Sequence, residues 1–343
     1  MLARHAEHLA PGWYVCCGHG VWRRAGTHLP TPVAVSKLRS GSGAERFRRW
    51  WSIGRREVSR LESGLFRLVA GGDPDGYEIA IDTSDDGCLL LDPRSGRVAR
   101  QLPRVSDLSG QLRFRDQWAE HIPSPRFSVA DNGGWIIEEY IEGRPAAELP
   151  TTNQVDVIRQ MFDAYARLVA ATGRVPEADP YEGSIELLQS HALPLHLSAI
   201  LDRAQQSRSL LRAPLVPTTA DPSIENLIVK PDGTPTLVDV HPLRHLPFFY
   251  LPIMFAASSR RAKGLRDAYF GGELDDSLAG LFEAADLEPP SGLAGRQMLL
   301  ALSLVTYGVY RTRREGQLDP GRLASFFELL LTRGDLLHAE EWR

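Results

Sequence analysis

The sequence predicts an α+β protein of two lobes. The first is a β-rich N-lobe with one intercalated helix, and the second is mainly helical and contains a β-hairpin. Three observations carry this. Residues 77–141 hold short β-favouring runs separated by tight-turn chemistry. From residue 152 onward apolar residues recur at helical spacing. Inside that helical stretch, 226–240 reads as a strand pair around Pro231-Asp232-Gly233-Thr234.

The 343 residues suffice for one large domain or two lobes with sizeable cores. An apolar fraction of 43% and a charged fraction of 24% exclude wholesale disorder. The net charge of −4 shows no basic excess for nucleic acid and no acidic tail. Of 39 basic residues only Lys37, Lys230 and Lys263 are lysines, so any chemistry needing a lysine has few candidates. The cysteines Cys16, Cys17 and Cys88 are odd in number and two are adjacent, which fits a reducing cytoplasm rather than a disulfide framework. Vicinal Cys16 and Cys17 beside His19 make a poor tetrahedral metal site. Arg4, His5, Glu7 and His8 replace the apolar run of a signal peptide, and no stretch of ~18 apolar residues spans a membrane. Neither a nucleic-acid nor a membrane partner is expected.

Residues 1–75 read as an N-terminal extension packed on the N-lobe. Gly12–Trp22 and Pro32–Val35 are candidate strands. Arg46–Leu68 has helical spacing in Phe47, Trp50, Trp51, Val58, Leu61 and Leu65. Its arginines, interleaved with Trp50 and Trp51, are read as a solvated helix face rather than a nucleic-acid surface. The N-lobe proper runs over 76–145. Tyr77–Thr83, Cys88–Asp92 and Arg97–Leu102 form an antiparallel meander, Asp107–His121 is a helix, and Arg126–Val129 and Trp135–Ile141 are two further strands. The C-lobe spans 146–343. Thr152 caps a helix over Asn153–Ala171 that stops at Gly173, with Val155, Ile158, Met161, Phe162, Tyr165 and Leu168 on one side. Ile185–Ser190, Leu197–Leu211, Pro252–Tyr269, Asp276–Ala285, Leu293–Arg313 and Gly321–Thr332 are further helices, and only Asn226–Lys230 and Thr236–Val240 interrupt as strands.

The chemistry concentrates in Asp221-Pro222-Ser223-Ile224-Glu225-Asn226 and in Asp239, at the far end of the hairpin. A hairpin returns the end of its second strand beside the start of its first. Asp239 is therefore expected near Asn226, with Asp221 just upstream. Two carboxylates and a carboxamide oxygen suit Mg²⁺, a hard ion that takes oxygen ligands and phosphate together. A separate carboxylate can take the proton of an acceptor hydroxyl during phosphoryl transfer.

This stretch resembles the aminoglycoside-phosphotransferase-like branch of the protein kinase fold, in which a His-Gly-Asp-x-x-x-x-Asn loop precedes a strand hairpin and a metal-binding Asp. The resemblance implies a bilobal protein kinase-like fold. It implies Asp221 as catalytic base and Asn226 and Asp239 as Mg²⁺ ligands. Thr219 and Ala220 depart from the family's His-Gly, and Val240-His241 departs from the Phe-Gly of protein kinases. Trp135–Gly143 is similar to the family's interlobe hinge, which implies that the backbone of Glu139 and Ile141 binds the purine edge. The resemblance implies that the strand pair around Asp85-Asp86-Gly87 folds over the nucleotide with Gly87 in its phosphate loop, although this segment lacks a Gly-x-Gly-x-x-Gly pattern. The family's third strand carries a phosphate-binding lysine paired with a helix Glu. The third strand here has none, and Arg100 is its replacement, with Asp116 or Glu120 as partner. A rival assignment uses Gly18-His19-Gly20 as the loop and Lys37 as the cation, but leaves about 100 residues between Lys37 and the hinge.

The resemblance, best over 135–239, implies a small-molecule kinase that uses ATP or GTP with Mg²⁺ to phosphorylate a hydroxyl. An antibiotic acceptor, inactivated in resistance, is the first expectation. A sugar, nucleoside or choline-like metabolite is the alternative, and a nucleotide-binding pseudokinase a third reading. Residues 251–343 hold 13 acids and 11 Lys plus Arg, a near balance that favours a neutral or anionic acceptor such as a nucleoside antibiotic over a polycation.

Overall fold

The computed structural model describes residues 5–18, 21–25, 66–69, 75–82, 88–101, 108–130, 135–175, 202, 205, 210, 212–219, 223–238, 240, 243–257, 262–314 and 317–318. The chain forms two compact units, one of residues 1–107 and 125–144, the other of residues 108–124 and 145–343.

The first unit is an eight-stranded antiparallel sheet. Its strands are β1 (Gly12–Gly18), β2 (Val21–Arg24), β3 (Phe66–Val69), β4 (Ile79–Asp82), β5 (Cys88–Asp92), β6 (Arg97–Gln101), β7 (Phe127–Val129) and β8 (Trp135–Glu139). They lie in the order β3-β1-β2-β4-β5-β6-β8-β7. The meander β4-β5-β6 follows the sequence expectation, with Leu90 opposite Ala80 and Ala99. Its second turn places Gly96 at φ 64, a backbone region that costs glycine little, and Tyr140 N–H donates to the Gly96 carbonyl at 2.7 Å.

Two expectations for the N-terminal stretch change. Gly12–Trp22 is not one strand: the chain reverses between Gly18 and Val21, and β1 pairs with β2. The end of the expected Arg46–Leu68 helix is β3, paired with β1 through Val15 and Phe66. Cross-strand pairing outweighs local helical periodicity there, since it satisfies the backbone along a neighbouring strand. The sheet therefore continues into residues the sequence reading assigned to an extension. The remainder of that helix, Pro32–Val35, Lys37, His19 and Gly20 lie outside the described residues.

Alternation along the strands gives the sheet two buried faces. Ala80, Cys88, Leu90, Ala99 and Trp135 bury with Leu9, Tyr14 and Tyr77 on one. Ile79, Ile81 and Leu91, with Leu89, Val98 and Tyr140, form the other. Residues 5–10 add to the first: His5 and His8 meet the Trp135 ring edge-on at 5.4 and 5.1 Å, and the Tyr14 hydroxyl donates to the Ala10 and Tyr77 carbonyls. Buried Asp92 closes the β5–β6 turn by accepting from the Ser95 hydroxyl and the Arg94 N–H. Burial alone would raise its carboxyl, but these donors outweigh that and hold it below the usual carboxylate range.

The second unit begins with α1 (Leu108–Ala119), the helix that the sequence places between strands of the β-rich lobe. Its buried side chains belong elsewhere: Trp118 and the following Ile122 are fully buried in the second unit's core. The helix is intercalated in sequence, while these large apolar residues anchor it in the helical unit. Next comes α2 (Thr151–Thr172), with all six expected core residues buried and Gly173 as its C-cap. Thr152 is not the N-cap. Pro150 precedes the helix and no side chain caps it.

After α2 come β9 (Leu215–Thr219), β10 (Leu227–Val229), β11 (Pro235–Leu237) and β12 (Leu243–Pro247). The helices that follow are α3 (Tyr250–Ala257), α4 (Lys263–Gly271), α5 (Asp275–Glu283) and α6 (Gly292–Thr312). The expected Pro252–Tyr269 helix is thus two helices. Residues 202, 205 and 210 of the expected 197–211 helix are helical, while 185–190 and 321–332 lie outside the described residues. The eight residues of α3 are all buried, and Phe248, Phe249 and Phe282 cluster beside it with centroids 5.0–6.3 Å apart. No described helix is long and apolar enough to cross a membrane.

Candidate active site

The segment singled out by its chemistry sits within two nested antiparallel ladders. The outer ladder pairs β9 with β12, from Leu215 opposite Pro247 to Thr219 opposite Leu243. The inner ladder pairs β10 with β11, Leu227 opposite Leu237 and Val229 opposite Pro235. The inner turn is the Pro-Asp-Gly sequence: Gly233 takes φ 85 and the Asp232 carboxylate accepts from Thr234 N–H.

Asn226 ends a single 3-10 turn, Ile224–Asn226, whose Ile224 is buried in the core. Its N–H donates to the Ser223 carbonyl at 2.9 Å, and its carbonyl accepts from Val238 N–H at 2.8 Å. The ladder therefore extends one pair past Leu227–Leu237 and sets Asn226 beside Val238, the residue that precedes Asp239. This is the closure expected from the sequence, with Asn226 half-buried. Asp221, Asp239, Gly87 and His241 lie outside the described residues. Among the described residues no group of three metal-binding side chains is assembled.

The outer strands β9 and β12 were missed by sequence reasoning. Val216, Thr218 and Thr219 were the available β-favouring signal. Pro217 and Pro247 obscured it, because proline removes a ladder donor and is confined to edge strands in ordinary sheets. A two-stranded ladder has only edges. Its attachment to the core is polar as well as apolar: the Tyr165 hydroxyl of α2 lies 2.6 Å from the Thr218 hydroxyl, both fully buried. Burial pushes the Tyr165 hydroxyl well above its usual range, so it stays neutral. Tyr165→Phe is expected to cost about 1–3 kcal/mol by stranding Thr218 in the interior. Denaturant unfolding measures this, and Tyr165→Phe/Thr218→Val should recover most of the loss. The inner ladder is tied in separately, with Leu237 N–H donating to the Pro123 carbonyl at 2.8 Å.

In the first unit, Arg100 lies on β6 opposite Leu89 and Ile136. Its Nε is 3.8 Å from a carboxylate oxygen of Glu138 on β8, with side chains 16% and 5% exposed. The sequence reading gave Arg100 a helix partner, Asp116 or Glu120. Both are exposed, and the described ion pair is with Glu138. The strand register brings Glu138 there: Ile136 and Glu138 alternate onto the face that carries Val98 and Arg100. Glu138 was legible in principle, as the acid at an inward position of Trp-Ile-Ile-Glu-Glu.

At the end of β8, Glu139 is exposed, and its carboxylate pairs with Arg126 at 3.2 Å. Its N–H donates to the Arg126 carbonyl. Tyr140 N–H turns the other way, to Gly96, so an extended chain directs the Ile141 N–H to the Arg126 side. Ile141 itself is 7% exposed.

No family model matches this chain, and no curated protein matches it in sequence. Solved structures resemble it. An aminoglycoside phosphotransferase from Alicyclobacillus acidocaldarius is 13% identical, with 78% of this chain and 89% of that chain covered at a TM-score of 0.44. Choline kinase LicA from Streptococcus pneumoniae is 13% identical over 81% of this chain and 98% of its own, at a TM-score of 0.43. The aminoglycoside phosphotransferase APH(3'')-Id from Streptomyces rimosus is 16% identical over 73% and 97%, at 0.42.

Proposed function

We propose that this chain is a small-molecule O-phosphotransferase that moves the γ-phosphoryl group of ATP or GTP to an acceptor hydroxyl. The observation that carries the reading is the nested pair of ladders. Thr219, at the head of the Ala220-Asp221 loop, is fixed opposite Leu243, and Asn226 is fixed beside Val238. In sequence, Asp221 follows Thr219 by two residues and Asp239 directly follows Val238.

In this reading Asp221 orients the acceptor hydroxyl and takes its proton. Asn226 and Asp239 offer the oxygen donors that suit Mg²⁺. Bound there, the ion would neutralise charge on the nucleotide phosphates. Arg100 supplies the cation that a lysine supplies elsewhere, and Gly87 lies in the loop over the phosphates. The Glu139 carbonyl and Ile141 N–H meet the purine edge. At the far end of β5 from that loop, Arg94 and Arg97 contact Asp92, and Arg97 donates to the Asp75 carbonyl.

The acceptor we favour is an antibiotic hydroxyl, and the balanced charge of 251–343 favours a neutral or anionic one, such as a nucleoside antibiotic. The direct test incubates the protein with ATP or GTP, Mg²⁺ and panels of antibiotics, sugars and nucleosides, then reads mass spectra for an added phosphate. Absence of both nucleotide binding and any phosphorylated product would sink the proposal. A metabolite product in place of an antibiotic would keep the chemistry and change the role.

Asp239→Asn should weaken Mg²⁺-nucleotide binding as well as turnover, because it replaces a hard anionic ligand with a neutral one. Calorimetry with Mg²⁺ and a nonhydrolysable nucleotide checks this. Unchanged affinity with unchanged turnover would make the hairpin purely structural.

A further inference from the structure

We propose that Glu138 is a positioning residue for the nucleotide phosphates, acting through Arg100. This rests on the phosphotransferase reading above. Arg100 is opposite Ile136 and Val98 opposite Glu138, so the two charged side chains are diagonal neighbours on one sheet face. Beside them on that face lie Ile79, Ile81, Leu89, Leu91, Val98 and Tyr140. A carboxylate 5% exposed is stable in such a setting only with a cation at hand, and Arg100 is 3.8 Å away. The attraction is reciprocal, so Glu138 restrains where the guanidinium points. A guanidinium carries five N–H donors in a planar fork, a geometry that suits phosphate.

The phosphate-binding cation is thus held from a neighbouring strand, through a pairing built into the sheet.

Nucleotide binding by calorimetry tests this without knowledge of the acceptor. The probes are Mg²⁺-ATP and adenosine, or Mg²⁺-GTP and guanosine if the wild type prefers guanine. The readout is the preference for nucleotide over nucleoside, which general damage to the fold would not change selectively. Arg100→Ala should cut this preference roughly 10- to 100-fold. Glu138→Gln should cut it about tenfold in the wild-type background and leave it unchanged in Arg100→Ala.

If Arg100→Ala lowers the preference but Glu138→Gln does not, or acts equally in both backgrounds, the positioning role is overturned and the phosphate contact stands. If Arg100→Ala leaves the preference intact, the assignment of Arg100 to the phosphates falls, and the role of Glu138 with it. Should Glu138→Gln fail to fold, Glu138→Asp keeps the charge and withdraws it by one methylene. An intermediate loss of preference supports the proposal and an unchanged one overturns it.

Discussion

Asp221→Asn is expected to lower turnover by at least ~10²-fold, the usual scale for loss of a general base. The exchange keeps size and removes the carboxylate's charge together with its capacity to take a proton. The scaffold that leads into residue 221 should be unaffected, because Thr219 is held by the β9–β12 ladder and Thr218 by Tyr165. Nucleotide affinity should therefore stay near wild type, since the phosphate and metal contacts are assigned to other residues. Steady-state kinetics with the identified acceptor and calorimetry with nucleotide separate the two quantities. Turnover close to wild type would remove Asp221 from the chemistry. A parallel loss of affinity would instead make it a metal ligand.

Trp118→Ala should destabilise the protein by about 3–5 kcal/mol, the range for truncating a large buried aromatic. Trp118 is fully buried and meets the Tyr165 ring edge-on at 5.5 Å. Its removal leaves a cavity beside the tyrosine that braces β9. The indole N–H has no hydrogen-bond partner among the described residues, so Trp118→Phe sacrifices no polar contact and should cost clearly less. Guanidinium unfolding of the three proteins gives the comparison. A loss below about 1 kcal/mol for the alanine variant would mean that α1 contributes little to the core.

Much of this architecture was readable in the chain because its signals are local. The Pro-Asp-Gly turn, the short strand Cys88–Asp92 between its turns and the spacing of Val155 through Leu168 each depend on neighbours in sequence, and each appears as expected. What was not readable depends on distant partners. Phe66–Val69 is a strand because β1 lies beside it, and Leu215–Thr219 because β12 does. The affiliation of α1 was hidden for the same reason: its position between strands suggested one unit, while the burial of Trp118 and Ile122 assigns it to the other. Within the site, the hairpin closure at Asn226 followed from turn chemistry. The partner of Arg100 did not, because register across β6 and β8 decides which acid shares its face.

The nesting of the two ladders also bears on how the chain folds. The inner pair, Leu227 with Leu237, is joined by a short turn, and forming it draws Thr219 and Leu243 toward each other. The outer pair then closes with less loss of chain entropy than it would alone, because part of the intervening loop is already fixed. Assembly from the turn outward is the favoured sequence of events, in contrast to the distant pairing of Val15 with Phe66. In pulse-labelling hydrogen exchange, the amide of Val238, bonded across the hairpin to Asn226, should gain protection before those at the β1–β3 edge.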